Sequence, residues 1–157
     1  MFSSLNQIYQ RFSNAVINYG KQFIDQSDIK AIIKVLKSSF LTQGPEITKF
    51  EKKLKFFFRA KSCCVVSNGT AALHLTGLAL GWKSGDVIIS SPISFLASAN
   101  CVIYSGATPD FADINEETYT IDPNKVEKKI KFYLSKNKKV KAIIATDFAG
   151  NPCNWKA

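Results

Sequence analysis

The sequence predicts an α/β fold, a mostly parallel β-sheet with helices on both faces. Three observations predict it. Short apolar runs alternate with helix-period segments from about residue 60 onward. Two of those runs, Val87-Ile88-Ile89 and Ala142-Ile143-Ile144-Ala145, are continuous, as strands covered on both faces require. Three polar turns, at residues 67–70, 91–95 and 147–151, follow apolar runs, and the carboxyl edge of a parallel sheet is where ligands gather.

Taken in order, residues 1–18 place Phe2, Leu5, Ile8, Phe12 and Val16 at three- and four-residue steps. That spacing predicts an amphipathic helix, an extension ahead of a domain spanning residues 19–157. Ser27 is placed to cap a second helix bearing Ile29, Ile32, Ile33, Val35 and Leu36. Leu41-Thr42-Gln43-Gly44-Pro45 breaks the chain, and Pro45 suits the first position of a helix with Ile47, Phe50, Leu54 and Phe57 on one face. A strand at 63–66 then leads to a helix from Thr70 to about Leu80, closed by Gly81. A strand at 87–91 leads to a helix ending near Ser105-Gly106, and a strand at 108–114 follows. Asp122-Pro123 starts a helix to about Leu134, and the last strand covers 141–147. Asn154 has the look of a helix cap three residues before the chain stops. A parallel sheet left there would have an uncovered edge, so an amino-terminal fragment of a larger domain is expected.

Composition narrows the function classes. The 157 residues suit one domain, and 46% hydrophobic with 21% charged residues is ordinary globular composition. No apolar run is long enough to span a membrane, and the first 18 residues lack the pattern of a secretory signal. A cytoplasmic protein is expected. The net charge of +9 does not predict a nucleic-acid partner: of 21 basic residues only Arg11 and Arg59 are arginines, the type suited to bidentate phosphate and base contacts. The densest lysine cluster, from Lys125 to Lys141, coats one helix and the loop after it, as a solvated face does. Cys63, Cys64, Cys101 and Cys153 form no Cys-x-x-Cys pair and are expected to be free thiols, with no metal site. His74, the single histidine, has no evident triad partner and is expected to be structural.

The most informative stretch is Ser67-Asn68-Gly69-Thr70-Ala71-Ala72-Leu73. A helix start has backbone N–H groups without internal partners and carries partial positive charge. A phosphate can settle there, with Gly69 permitting close approach and the Thr70 hydroxyl adding a donor. Ordinary βα connections use the same residue types, so the turn alone does not establish a phosphate site.

Together with this stretch, Leu41-Thr42-Gln43-Gly44-Pro45, Ser91-Pro92-Ile93-Ser94-Phe95-Leu96-Ala97-Ser98-Ala99-Asn100, Gly106-Ala107-Thr108-Pro109 and Asp147-Phe148-Ala149-Gly150 occur in an order that resembles the nucleotide-sugar aminotransferases of the DegT/StrS type. These are pyridoxal-phosphate (PLP) enzymes of fold type I, like aspartate aminotransferase, and the likeness runs from about Tyr19 to the end. Within the family, the first and third stretches look most like the branch serving pseudaminic acid biosynthesis, which aminates C4 of a UDP-linked 4-keto-6-deoxy-N-acetyl sugar. The resemblance implies pyridoxal 5'-phosphate as cofactor, held by Gly69, Thr70 and the Ala71 N–H, with Phe95 stacked on its ring. It implies substrate contacts from Thr42 and Asn100, although Asn100 and Asp147 suit structural roles equally. A UDP-sugar, glutamate as amino donor and a homodimer are implied for the full-length protein. The family's Schiff-base lysine and the acid that pairs with the pyridine nitrogen match nothing before Ala157, so residues 1–157 by themselves are expected to be inactive. The alternatives are a dehydratase of the same family, with histidine in place of that lysine, and a non-catalytic relic or sensor of this fold. A plain nucleotide-binding domain is disfavoured, since no Gly-x-Gly-x-x-Gly turn or Walker lysine is present.

Overall fold

A computed structural model describes residues 20–157, so the expected helix within residues 1–18 lies outside the described residues. The chain divides between Arg59 and Ala60 into two compact units.

The unit ending at Arg59 contains helices α1 (Gln26–Leu36) and α2 (Pro45–Phe57). Asp25, not Ser27, caps α1. Its Oδ1 accepts the Ser27 N–H at 2.7 Å and the Asp28 N–H at 3.1 Å, while Asp28 Oδ2 accepts the Asp25 N–H at 3.0 Å. This reciprocal capping box satisfies the orphan donors earlier in the chain than Ser27 could, and the Ser27 hydroxyl donates to the same Asp25 oxygen. Pro45 opens α2 as its fixed φ and missing N–H favour. No described residue of this unit is buried, and Ile29, Ile32, Ile33, Leu36, Ile47 and Phe50 are exposed.

The unit from Ala60 contains α3 (Gly69–Ala79), β1 (Val87–Ser90), α4 (Ala97–Tyr104), β2 (Thr108–Phe111), α5 (Pro123–Ser135) and β3 (Val140–Ile144). The three strands form one parallel sheet in the order β2-β1-β3. Central β1 is buried throughout, and its consecutive residues divide the core. Ile88 packs with Trp82, Cys101, Val102 and Ala107 on the face covered by α3 and α4. Ile89 packs with Ala112, Ile121, Val126 and Cys153 on the face covered by α5. Helices therefore cover both faces, as the continuous apolar run of β1 requires.

The apolar run of β3 behaves differently, because β3 is an edge strand among the described residues and Ile143 is exposed. Its register slips by one residue between Val140 and Ala142, a bulge that puts Val140 on the α5 face and Ala142 on the other. Two more expectations are corrected. Residues 63–66 are not a strand of the sheet, since a strand needs a laddered neighbour and neither edge of β2-β1-β3 takes them. The strand expected to reach Ile114 stops at Phe111: Asn115 Oδ1 accepts the Glu117 and Thr118 N–H groups and turns the chain back, leaving Ile114 in a single antiparallel bridge with Ile121.

Helix ends explain the loops. At the end of α3 the Trp82 N–H reaches Gly77 O and the Gly81 N–H reaches Leu78 O, both at 3.0 Å, with Gly81 at φ 67°. The same pair of bonds closes α4 through Gly106 and Ala107. Gly77 is required sterically: a Cβ there would lie 2.6 Å from both the Trp82 ring and Ser105 Oγ. Across the sheet, Lys129 Nζ holds both oxygens of Asp110 at 2.9 and 3.0 Å, and the Tyr133 hydroxyl donates to Asp110 Oδ2 at 2.9 Å, clipping α5 to β2.

Candidate functional site

Asn68 caps α3 from an extended backbone, with Oδ1 accepting the Ala71 N–H at 2.9 Å and Nδ2 donating to Ser67 Oγ at 3.3 Å. The Gly69 and Thr70 N–H groups and the Thr70 hydroxyl make no hydrogen bond to the described residues. Of the three backbone positions that the resemblance assigns to a phosphate, two are thus open and the third, at Ala71, is engaged by the cap.

Gly69 carries a further indication. A Cβ built there meets no heavy atom within 4 Å, and its φ is not in the left-handed region. Among the described residues, nothing in packing or backbone demands glycine at that position, in contrast to Gly77.

α3 and α4 pack together with their carboxyl ends adjacent, a Cβ at Gly106 lying 3.7 Å from Ser84 N in the loop after α3. His74 lies edge-on to Tyr104 with ring centroids 5.5 Å apart, and Gly77 abuts Ser105. The helices therefore run in the same sense, which puts the Gly69-Thr70 start of α3 at the same end as the start of α4. That end is the carboxyl edge of the sheet, because α4 follows β1 directly. The linking loop is ordered by Ser91, which is buried and whose Oγ accepts the Ile93 N–H at 3.2 Å. Phe95 leaves this loop 77% exposed, with its carbonyl accepting the Ser98 N–H. Core packing, the ordinary fate of a phenylalanine, does not account for it.

Asn100 sits half-buried on the first turn of α4 with no side-chain hydrogen bond. Thr42 belongs to the other unit, on the exposed loop 41–44. Asp147 is structural, since its Oδ1 accepts the Cys153 N–H at 2.8 Å and folds the segment after β3 back on itself. Burial, reinforced by the neighbouring Asp147 carboxylate, pushes the Cys153 thiol above its usual range. His74 Nε2 is buried without a hydrogen-bond partner among the described residues, and the ring meets Tyr104 edge-on.

Neither residues 66–82 nor residues 91–105 contain a carboxylate, so nothing in either segment repels an anion. They contain no lysine or arginine either, which leaves the attraction to the helix-start amides. Among the described residues no group of His, Cys, Asp and Glu could hold a metal ion, and no helix is long and apolar enough to cross a membrane. Sequence reasoning missed the part played by Asn68, although an Asn immediately before a helical segment is a cap signal.

The unit from Ala60 thus carries open helix-start donors at Gly69 and Thr70 and an exposed aromatic, Phe95, on an α/β scaffold with a parallel sheet. The chain belongs to the DegT/DnrJ/EryC1/StrS aminotransferase family, whose pattern matches residues 22–157. It is 37% identical over 144 residues to the spore coat polysaccharide biosynthesis protein SpsC of Bacillus subtilis, covering 92% of this chain and 36% of that protein. It is 40% identical over 137 residues to the UDP-4-amino-4,6-dideoxy-N-acetyl-beta-L-altrosamine transaminase of Campylobacter jejuni, covering 87% and 35%. In structure it is similar to Helicobacter pylori PseC, an aminotransferase involved in the biosynthesis of pseudoaminic acid, with a TM-score of 0.75, 35% identity and coverage of 87% and 36%. It is also similar to the PLP form of the sugar aminotransferase Spr1654 of Streptococcus pneumoniae, with a TM-score of 0.76, 26% identity and coverage of 88% and 34%. The chain thus spans about a third of the length of these relatives.

Proposed function

We propose that the protein is part of a PLP-dependent aminotransferase acting on a nucleotide sugar, and that its start of α3 holds the cofactor phosphate. The observation that carries this reading is the pairing at Gly69 and Thr70: open donors at a helix start, beside a glycine that the packing of the described residues does not require. A phosphate accounts for both, since it takes the N–H groups and occupies the space a side chain would fill. The bound cofactor supplies an electron sink for moving an amino group.

In this reading Gly69 and Thr70 bind the phosphate and Phe95 lies against the ring, fixing its plane and excluding water from one face. Asn100 offers an uncommitted amide to a group near the start of α4, and Thr42 offers a hydroxyl to substrate. The lysine that holds the cofactor covalently and the acid that faces its ring nitrogen are not among residues 1–157. The acceptor is a UDP-linked 4-keto-6-deoxy sugar, a choice supported by the likeness to the Campylobacter and Helicobacter enzymes. Glutamate is the amino donor, and the working protein is a homodimer in the cytoplasm.

Gly69→Ala tests the cradle. Alanine is the better helix former, so the melting temperature is expected to hold or rise, while affinity for PLP, read by fluorescence titration, falls about tenfold or more. Unchanged affinity would remove the cradle. Phe95→Ala serves as the companion variant. It is expected to loosen the cofactor without loss of thermal stability, because the side chain buries little.

A further inference from the structure

We infer that Asn68 is a positioning residue whose neutrality is part of the anion site: it caps α3 without bringing a negative charge to the helix start, and it withholds the Ala71 N–H so that the phosphate is confined to Gly69 and Thr70. The inference rests on the phosphate reading above and specifies how that site is built.

Capping alone does not call for asparagine here. Asn, Asp and Ser cap comparably, and a carboxylate gains further from the helix dipole. The chain caps other helices with carboxylates: Asp25 caps α1, and Asp122 Oδ1 accepts the Asn124 N–H at 2.8 Å to cap α5. At α3 the cap is an amide whose Oδ1 takes the Ala71 N–H at 2.9 Å and whose Nδ2 is tied to Ser67 Oγ. The Ala71 N–H, a donor only, fixes the amide oxygen toward the helix, and Nδ2 is left to donate to the Ser67 hydroxyl. An aspartate in the same rotamer would keep the bond to Ala71 and could accept from the Ser67 hydroxyl in place of donating to it, so both local contacts survive. It would also set a full negative charge beside the two donors that a phosphate dianion needs. The cap divides the N–H groups between protein and ligand, so a phosphate is held by Gly69, Thr70 and the Thr70 hydroxyl rather than centred on the helix axis.

The test uses the purified protein with PLP, and with pyridoxal, which lacks the phosphate, as the reference ligand. Affinities are read by fluorescence titration, the phosphate environment by its phosphorus-31 resonance, and stability by thermal unfolding. Asn68→Asp is expected to keep the melting temperature, to weaken PLP binding about tenfold at low ionic strength with a penalty that shrinks as salt is added, and to leave pyridoxal binding unchanged. Asn68→Ser, a neutral cap, is expected to stay within about twofold of the parent for PLP. Equal PLP affinity in Asn68→Asp and parent would overturn the inference. So would a loss in Asn68→Ser as large as that in Asn68→Asp, including the case in which Asn68→Asp also loses stability. If the parent itself shows no phosphorus-31 shift with PLP, the phosphate reading falls and this inference falls with it, a result distinct from a parent that binds and variants that do not differ.

Discussion

The two units of this chain are built from helices of similar length and come to opposite states. α1 and α2 have well-formed ends and apolar faces, yet every described residue up to Arg59 retains substantial exposure. α3 and α4 have less regular apolar faces and α5 one comparable to α2, yet together with the sheet they enclose Ile88, Ile89, Cys101 and Val102. The difference is the sheet. A helix can satisfy its own backbone, but a flat apolar face is buried only when another layer lies against it, and β1 supplies one on each side. Helix formation is thus a local matter decided by caps and periodicity, whereas core formation depends on residues far apart in sequence. In α3 and α4 the two coincide, and at their starts the protein places its open donors and exposed phenylalanine.

The largest expected effect sharpens this contrast. Ile88→Ala removes a fully buried side chain from between β1 and the two helices above it, and should cost about 2–5 kcal/mol in chemical denaturation. A loss below about 1 kcal/mol would show that the central strand does not organise its unit.

A smaller effect concerns the clip between β2 and α5. Partial burial pulls the Asp110 carboxyl upward, but Lys129, the Phe111 N–H and Tyr133 outweigh it and leave the carboxyl below its usual range. A group depressed in the folded state stabilises above its unfolded value, about pH 4, and loses that contribution as pH falls through the folded value. Asp110→Asn should therefore cost about 1 kcal/mol at neutral pH, discounted for the half-exposed lysine, and the difference from the parent should shrink as pH falls below about 4. A difference independent of pH would assign the effect to packing. The smallest expected effect is the counterpart to the first: Ile32→Ala, on the exposed face of α1, should stay within about 0.5 kcal/mol. A cost near that of Ile88→Ala would break the comparison.

What could be read in the sequence follows the same division. The order of helices and strands from Thr70 onward, the start at Asp122-Pro123 and the turns at Gly81 and Gly106 rest on neighbours close in sequence, and all appear in the structure. Residues 63–66 have strand composition but no place in the ladder, because composition says nothing about the neighbour a strand needs. The Asp110–Lys129–Tyr133 clip joins residues 19 and 23 positions apart, and no periodicity connects them. At the proposed site, Gly69 and Thr70 were legible as a glycine-threonine helix start, whereas Phe95 was singled out only through the family resemblance. The engagement of the Ala71 N–H by Asn68 was not legible, because two adjacent capping residues, Ser67 and Asn68, compete for it on paper and only the backbone angles choose between them.

The strand order β2-β1-β3 also has a consequence in time. During synthesis β1 and β2 leave the ribosome close together and can pair at once, but β3 follows β2 only after the loop, the bridge and the whole of α5. At cellular rates of about 5–20 residues per second, that interval lasts about 2–6 seconds. Throughout it the free edge of β1, the most apolar strand of the sheet, is open to any extended segment that meets it, including the β1 of another nascent copy. The lysine-rich α5 emerges during that interval, and its charge reaches solution before the edge is closed.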